Sequence, residues 1–130
     1  TEEADGLRIE VTAVGLPPGP KGIHIHAVGK CEPPDFASVG AHFNPAGKKH
    51  GRLNPEGAHA GDLPNLGVTP LGAAGLDATT RAVTLKAGVS GSLFGPGGTS
   101  LVIHAQPDDE KTDPTGNSGS RIACGVITRG

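Results

Sequence analysis

The sequence predicts an all-β domain rich in turns, and three observations carry that expectation. Among 130 residues there are 22 glycines and 12 prolines, a density of chain breakers that leaves little room for helices. Methionine, tryptophan and tyrosine are absent and phenylalanine occurs three times. The core must therefore be built from valine, isoleucine, leucine and alanine, and metal or disulfide restraints would help so thinly aromatic an interior. The third observation is that apolar and polar residues alternate over short stretches, which is the period of a strand.

The length predicts one domain over residues 1–130, able to bury roughly two-thirds of its unfolded surface. The first strand is expected where Leu7, Ile9, Val11 and Ala13 alternate with Arg8, Glu10 and Thr12, and Leu16-Pro17-Pro18-Gly19-Pro20 stops it. In the second, Ile23, Ile25 and Ala27 alternate with His24 and His26, so the two imidazoles project from one face. From Val28 to about Pro70 the pattern dissolves into Gly, Pro, Asn and Asp. A loop of that length is uncommon in a compact domain unless it is functional, and something other than apolar packing has to order it. Further strands are expected over Thr80–Ala87 and Ser100–Ala105, separated by the turn Gly95-Pro96-Gly97-Gly98, and a last one over Arg121–Thr128 after a polar loop from Gln106 to Ser120.

A formal charge of −2 with scattered basic residues gives no cationic stripe for nucleic acid or an anionic membrane surface. The longest apolar runs, about five residues, fall far short of a membrane span. No secretory leader is read at the start, which leaves a cytosolic or an already processed chain. Cys31 and Cys124 would close a loop of most of the chain, worth roughly 4–5 kcal/mol in the chain-entropy description. Two buried thiols are the alternative. The loop-like context Lys30-Cys31-Glu32-Pro33-Pro34 favours a bridge, and with it an oxidising compartment.

All six histidines fall in two groups. The His24-Ile25-His26 pair sets two imidazoles about 7 Å apart along one strand face, within reach of one ion. His104 and His42 could complete a set of four, which suits copper(II) in a tetragonal field and also suits zinc. The second group is His42, His50, His59 and Asp62; three imidazoles and a carboxylate make the closed shell of a structural zinc. Asp62 by itself reads more readily as a turn former, but its place three residues after His59, in a loop that needs an organiser, tips the reading to a ligand.

At this point the motifs become recognisable. Gly22-Ile23-His24-Ile25-His26, Ala41-His42-Phe43-Asn44-Pro45, Lys49-His50-Gly51, Ala58-His59-Ala60-Gly61-Asp62-Leu63-Pro64-Asn65 and Gly116-Asn117-Ser118-Gly119-Ser120-Arg121-Ile122-Ala123-Cys124-Gly125-Val126-Ile127 resemble the signatures of the copper/zinc superoxide dismutases, in that family's order and spacing. The resemblance runs from about Leu7 to Ile127. It implies a Greek-key β-sandwich or flattened barrel with long metal-binding loops. The family is itself a standard example of sandwich architecture, electrostatic steering and near-diffusion-limited catalysis, so those features belong to the resemblance.

Position by position, it implies copper on His24, His26, His42 and His104, and zinc on His42, His50, His59 and Asp62, with His42 as the shared bridge. Asp108 matches the carboxylate that hydrogen-bonds one ligand of each metal, with Asp109 as its neighbour in case of a one-residue slip. Arg121 matches the channel arginine that attracts the anion, Thr115 the opposite wall, and Cys31–Cys124 the disulfide. Lys111 is expected to extend the positive potential, with Glu110 and Asp113 opposing it. The implied activity is disproportionation of superoxide to oxygen and hydrogen peroxide through alternate reduction and reoxidation of copper. The alternatives are a non-catalytic copper- and zinc-binding domain of the same fold and a zinc-stapled structural module.

The family carries two strands ahead of the one read at 7–14, and the expectation is that this domain lacks them. The Ala-Gln-Pro-Asp-Asp run and the short His26-to-Cys31 spacing resemble bacterial members. That implies an extracytoplasmic protein, periplasmic or secreted, and allows a homodimer.

Overall fold

The computed structural model describes residues 2, 3 and 6–129. Among them are eight strands: β1 (Glu2–Glu3), β2 (Gly6–Ala13), β3 (Gly19–Lys21), β4 (Ile23–His26), β5 (Leu66–Val68), β6 (Ala74–Thr80), β7 (Ser100–His104) and β8 (Arg121–Val126). A 3₁₀ turn, Ala37–Val39, interrupts the long loop after β4.

Two antiparallel sheets result, a five-stranded one in the order β1-β2-β6-β5-β3 and a three-stranded one in the order β4-β7-β8. The β5–β6 hairpin lies between β2 and β3, an interleaving of non-consecutive strands of the Greek-key kind. Leu7, Ile23, Ile25, Leu66, Val68 and Ile103 from these strands share one buried cluster with Leu63, Val83 and Leu93 from the loops. The aliphatic interior expected from composition is thus the interior formed.

β4 is buried along its whole length. Ile23 and Ile25 belong to the aliphatic core, whereas His24 and His26 turn to the opposite face, as the period of two requires. One four-residue strand therefore joins the core to the polar site.

Several element bounds differ from the sequence reading. The strand expected over residues 80–87 lies instead at Ala74–Thr80. That segment, Ala-Gly-Leu-Asp-Ala-Thr-Thr, has little apolar alternation, but it pairs with β2 from Leu7↔Thr80 to Ala13↔Ala74 and carries the cross-strand Arg8–Asp77 pair at 2.6 Å. Tertiary pairing outweighs local pattern there. Beyond Thr80 the chain turns; Val83 enters the core, and the Thr84 hydroxyl and Leu85 N–H donate to the Glu2 carboxylate. β8 stops at Val126 and not Thr128, because its partner β7 begins at the opposing Ser100.

Alternation does not predict β3 and β5, which are three residues long with Pro20 and Gly67 inside. Pro20 is tolerated because β3 is an edge strand. Ahead of β2 the described residues hold the two-residue β1, paired through Glu2↔Leu7 and Glu3↔Gly6.

Candidate metal centre

All six histidines come together on the face of β4 that points away from the aliphatic core. His24 and His26 come from β4 and His104 ends β7. The loops bring the others: single β-bridges join His26 to His42 and His24 to Asp62. Backbone hydrogen bonds seat the loop on β4, from Phe43 N–H to the Ile25 carbonyl at 2.8 Å and from Ile25 N–H to the Gly61 carbonyl at 2.9 Å. The long Gly/Pro segment is ordered by bonding to the strand that carries the first two histidines.

One potential ligand atom each from His24, His26, His42 and His104 lie within 4.8 Å of one another, and so do those of His24, His42, His50 and Asp62. His59 joins the second group, its Nδ1 lying 3.2 Å from His42 Nδ1 and 3.5 Å from Asp62 Oδ1. Asp62 Oδ1 is also 3.1 Å from His42 Nδ1 and from His50 Nδ1. The other oxygen of this carboxylate serves the backbone, since Oδ2 accepts from the N–H groups of Gly51 at 2.9 Å and His59 at 3.0 Å. Ligand candidate and turn former are therefore one residue acting through two oxygens.

Hydrogen bonds to oxygen acceptors fix which nitrogen is free on several of the rings. A carbonyl oxygen only accepts, so His26 Nδ1, 2.8 Å from the Gly40 carbonyl, carries its proton and leaves Nε2 bare. The same holds for His104, whose Nδ1 donates to the Gly119 carbonyl at 3.1 Å. The two bare Nε2 atoms then face each other at 3.3 Å, lone pair against lone pair. Asp108 accepts from His24 Nε2 at 2.6 Å through Oδ2 and from His50 Nε2 at 2.8 Å through Oδ1. Among the described residues, His24 Nδ1, His42 Nε2 and His50 Nδ1 are buried without a hydrogen-bond partner, the Asp62 oxygen beside His50 Nδ1 lying outside hydrogen-bonding geometry. Buried polar atoms are rarely left so. Lone pairs converging in this way, against a buried carboxylate, call for a cation between them, and the imidazole and carboxylate donors are those that copper and zinc take.

The electrostatics agree. Burial is the main cause holding His24 and His104 near a pKa of about 4 and His26 near about 3, so these rings are neutral and ready as ligands at pH 7. For His50 burial also lowers the pKa, but the Asp108 and Asp62 carboxylates outweigh it and push the ring up to about 9. Burial lowers His59. Burial raises both Asp62 and Asp108, yet their imidazole hydrogen bonds prevail and hold both carboxyls well below the ordinary range. Between His50 and Asp62 there is a place for a positive charge, a proton or a metal ion.

A cavity of about 410 Å³ opens onto the first group, lined among others by His26, His42, His104, Thr115, Lys48, Asp113 and Arg121. Thr115 and Arg121 sit in its wall. Arg121 is held by its Nε, which donates to the Asp35 carbonyl at 2.8 Å. The lysine in the wall is Lys48 and not Lys111; the 106–120 loop points Asp113 inward, where its Oδ1 accepts from the His50 N–H at 2.8 Å. Proximity of Lys48 to His50 in sequence is the signal that could have found it.

Asp108, not Asp109, lies between the two rings; Asp109 instead ties its own turn, accepting from Lys111 N–H and from Thr112. Asn65 is a supporting residue that the sequence reading misses. Its amide donates to the Asp108 carbonyl at 2.9 Å and accepts from the Asp108 N–H at 2.8 Å. Cys31 and Cys124 form a disulfide across 93 residues, as the loop context favours.

Comparisons agree with this geometry. Residues 1–127 match the family described as copper/zinc superoxide dismutase (SODC). Superoxide dismutase [Cu-Zn] 2 of Aquifex aeolicus is 54% identical over 127 residues, spanning 97% of this chain and 74% of that protein. The superoxide dismutase-like protein YojM of Bacillus subtilis is 44% identical over 124 residues, spanning 95% of this chain and 63% of that protein. Among solved structures, a SOD-like protein from Bacillus subtilis superposes with a TM-score of 0.93 at 42% identity, over 97% of this chain and 84% of that one.

Proposed function

Because this chain belongs to the copper/zinc superoxide dismutase family, we propose that it disproportionates superoxide, with His24, His26, His42 and His104 as the residues that would hold copper and His42, His50, His59 and Asp62 as those that would hold zinc. The observation that carries the assignment is the set of buried, unpartnered nitrogens on His24, His42 and His50, together with the facing bare nitrogens of His26 and His104.

Copper bound there supplies a one-electron couple that the same small anion can both reduce and reoxidise, which redox-inert zinc cannot offer. The protein's own residues supply the rest. His42 has one nitrogen, Nδ1, committed beside Asp62, while Nε2 has no partner. Nε2 is therefore the atom on which a proton can be held between the two half-reactions and then given to the departing peroxide. Asp62, His50 and His59 keep the ring from turning while this happens. Arg121 lies in the wall of the cavity beside His104 and His42; its fixed guanidinium draws in and orients an anion. Lys48 adds to that field and Asp113 opposes it. The Cys31–Cys124 disulfide supports an extracytoplasmic setting as part of the proposal.

The test is metal analysis and a copper EPR spectrum beside a superoxide assay, with and without a copper chelator. Turnover that follows copper occupancy is the expected outcome. Full copper occupancy without turnover would favour a copper-holding domain in place of an enzyme. Arg121→Ala is expected to keep copper and to flatten the dependence of the rate on ionic strength; an unchanged rate at low and high salt would reject its role.

A further inference from the structure

The zinc-side loop and the loop that carries Asp108 are fastened to each other by contacts that the metal ligands do not make. Arg52 Nε and Glu110 Oε1 lie 2.5 Å apart, with 45% and 18% of the two side chains exposed. Beside that pair, Leu53 N–H donates to the Glu110 carbonyl at 3.0 Å, and the Asn54 amide to the Lys111 carbonyl at 3.1 Å. A Cβ at Gly51 would overlap the Glu110 carbonyl, so the two backbones touch where the chain leaves His50.

Glu110 is also bound to the carboxylate at the centre of the site. Its N–H donates to Asp108 Oδ1 at 2.6 Å, the oxygen that also accepts from His50 Nε2. It does so from a left-handed backbone, φ 62°, which a non-glycine residue keeps only when its surroundings hold it there. The Arg52–Glu110 pair and the Leu53 bond hold it from the zinc-side loop, and the Asp109 turn holds it from its own loop. Asn65 fixes the Asp108 main chain; the orientation of the carboxylate itself rests on the two histidine rings and on the Glu110 N–H.

We propose that the Arg52–Glu110 ion pair is a latch: by fixing the Glu110 peptide it keeps Asp108 aimed at His24 and His50, and so sets how long the zinc position retains its ion. Arg52 and Glu110 are positioning residues that act through Asp108. The inference rests on the metal assignment made above. A half-exposed pair contributes little to global stability, whereas groups that orient a metal-binding histidine govern metal affinity. The latch is thus read in metal retention and not in the melting of the metal-free chain.

The experiment compares zinc release into excess chromogenic chelator, and the cobalt(II) ligand-field spectrum of the zinc position, for five forms of the metal-loaded protein. These are the parent, Arg52→Ala, Glu110→Gln, the swap Arg52→Glu with Glu110→Arg, and Arg8→Ala, which removes the exposed pairs of Arg8 with Asp77 and Glu10 in the five-stranded sheet. Release roughly tenfold faster in both single variants, an altered cobalt spectrum, and return to the parental rate in the swap are expected. The metal-free melting midpoints should fall no further than that of Arg8→Ala. Single variants that release zinc at the parental rate, or a larger fall in melting midpoint with an unchanged cobalt spectrum, would overturn the latch. A parent that binds no zinc or cobalt would instead overturn the metal assignment.

Discussion

Asp108 shows how much one residue can decide. Its two oxygens accept from the outward nitrogens of His24 and His50, so one carboxylate sets the tautomer of a ring in each metal group. Asp108→Asn puts an amide where one of two acceptors stood and offers a donor to a ring that already donates. Zinc affinity is expected to drop roughly 10- to 100-fold with the fold intact, as measured by chelator competition beside circular dichroism.

The metal-free histidines also predict a pH profile with a definite sign. For His24, His26 and His104 the folded values of about 4, 3 and 4 lie below the unfolded value near ~6.5. Between those limits the unfolded chain binds more protons, so their stabilisation is present above the unfolded value and is lost as pH falls toward the folded ones. His50, raised to about 9, behaves oppositely: its contribution is complete below the unfolded value and is lost as pH rises through the folded one. The melting midpoint of the metal-free protein is therefore expected to fall on both sides of neutrality. Zinc loading should remove the alkaline fall, because the ion takes the place of the proton on His50. A midpoint rising steadily to alkaline pH without metal would contradict this.

Among the elements, the 106–120 loop reaches the centre by approaching closer than side chains allow. Gly116 has φ 68°, and a Cβ there would run into the Asp108 carboxylate and the His50 ring. Gly116→Ala is thus strained twice, in backbone and in space. Loss of zinc and of activity is expected, with the sheets retained; parental metal content would show that the loop can retreat without consequence. The legibility of elements follows the same physics. β2 and β4 are readable because one face of each meets the core, which writes a period of two into the sequence. β6 is not, because small residues paired to β2 need no apolar stripe. That Lys48 and not Lys111 lines the cavity has a related reason: sequence gives loop membership but not the direction in which a loop side chain leaves.

At the scale of the molecule, an aliphatic core without tryptophan or tyrosine is joined to a polar centre and one covalent tie. The disulfide spans 93 residues and joins the loop whose Asp35 carbonyl holds Arg121 to the strand that begins with that arginine. Replacing both cysteines by serine is expected to lower stability by about 3–5 kcal/mol, measured by denaturant unfolding of the metal-loaded protein. It should also loosen Arg121, weakening the salt dependence of the rate more than the copper content. A stability change within error would show that the loop is held by its hydrogen bonds alone.

The sequence by itself determined the chemistry: six histidines and an aspartate in fixed order, two cysteines, and the aliphatic alternation that marks β2 and β4. Those features are local, set by residue type and by spacing along one chain. Only the tertiary structure decided which nitrogen of His24, His26 and His104 stays bare, that both oxygens of Asp108 reach a ring, that Lys48 and Asp113 face the cavity, and that Arg52 reaches Glu110. Each of these depends on where two segments far apart in sequence meet, and that is fixed by hydrogen bonds to backbone groups that every residue carries alike.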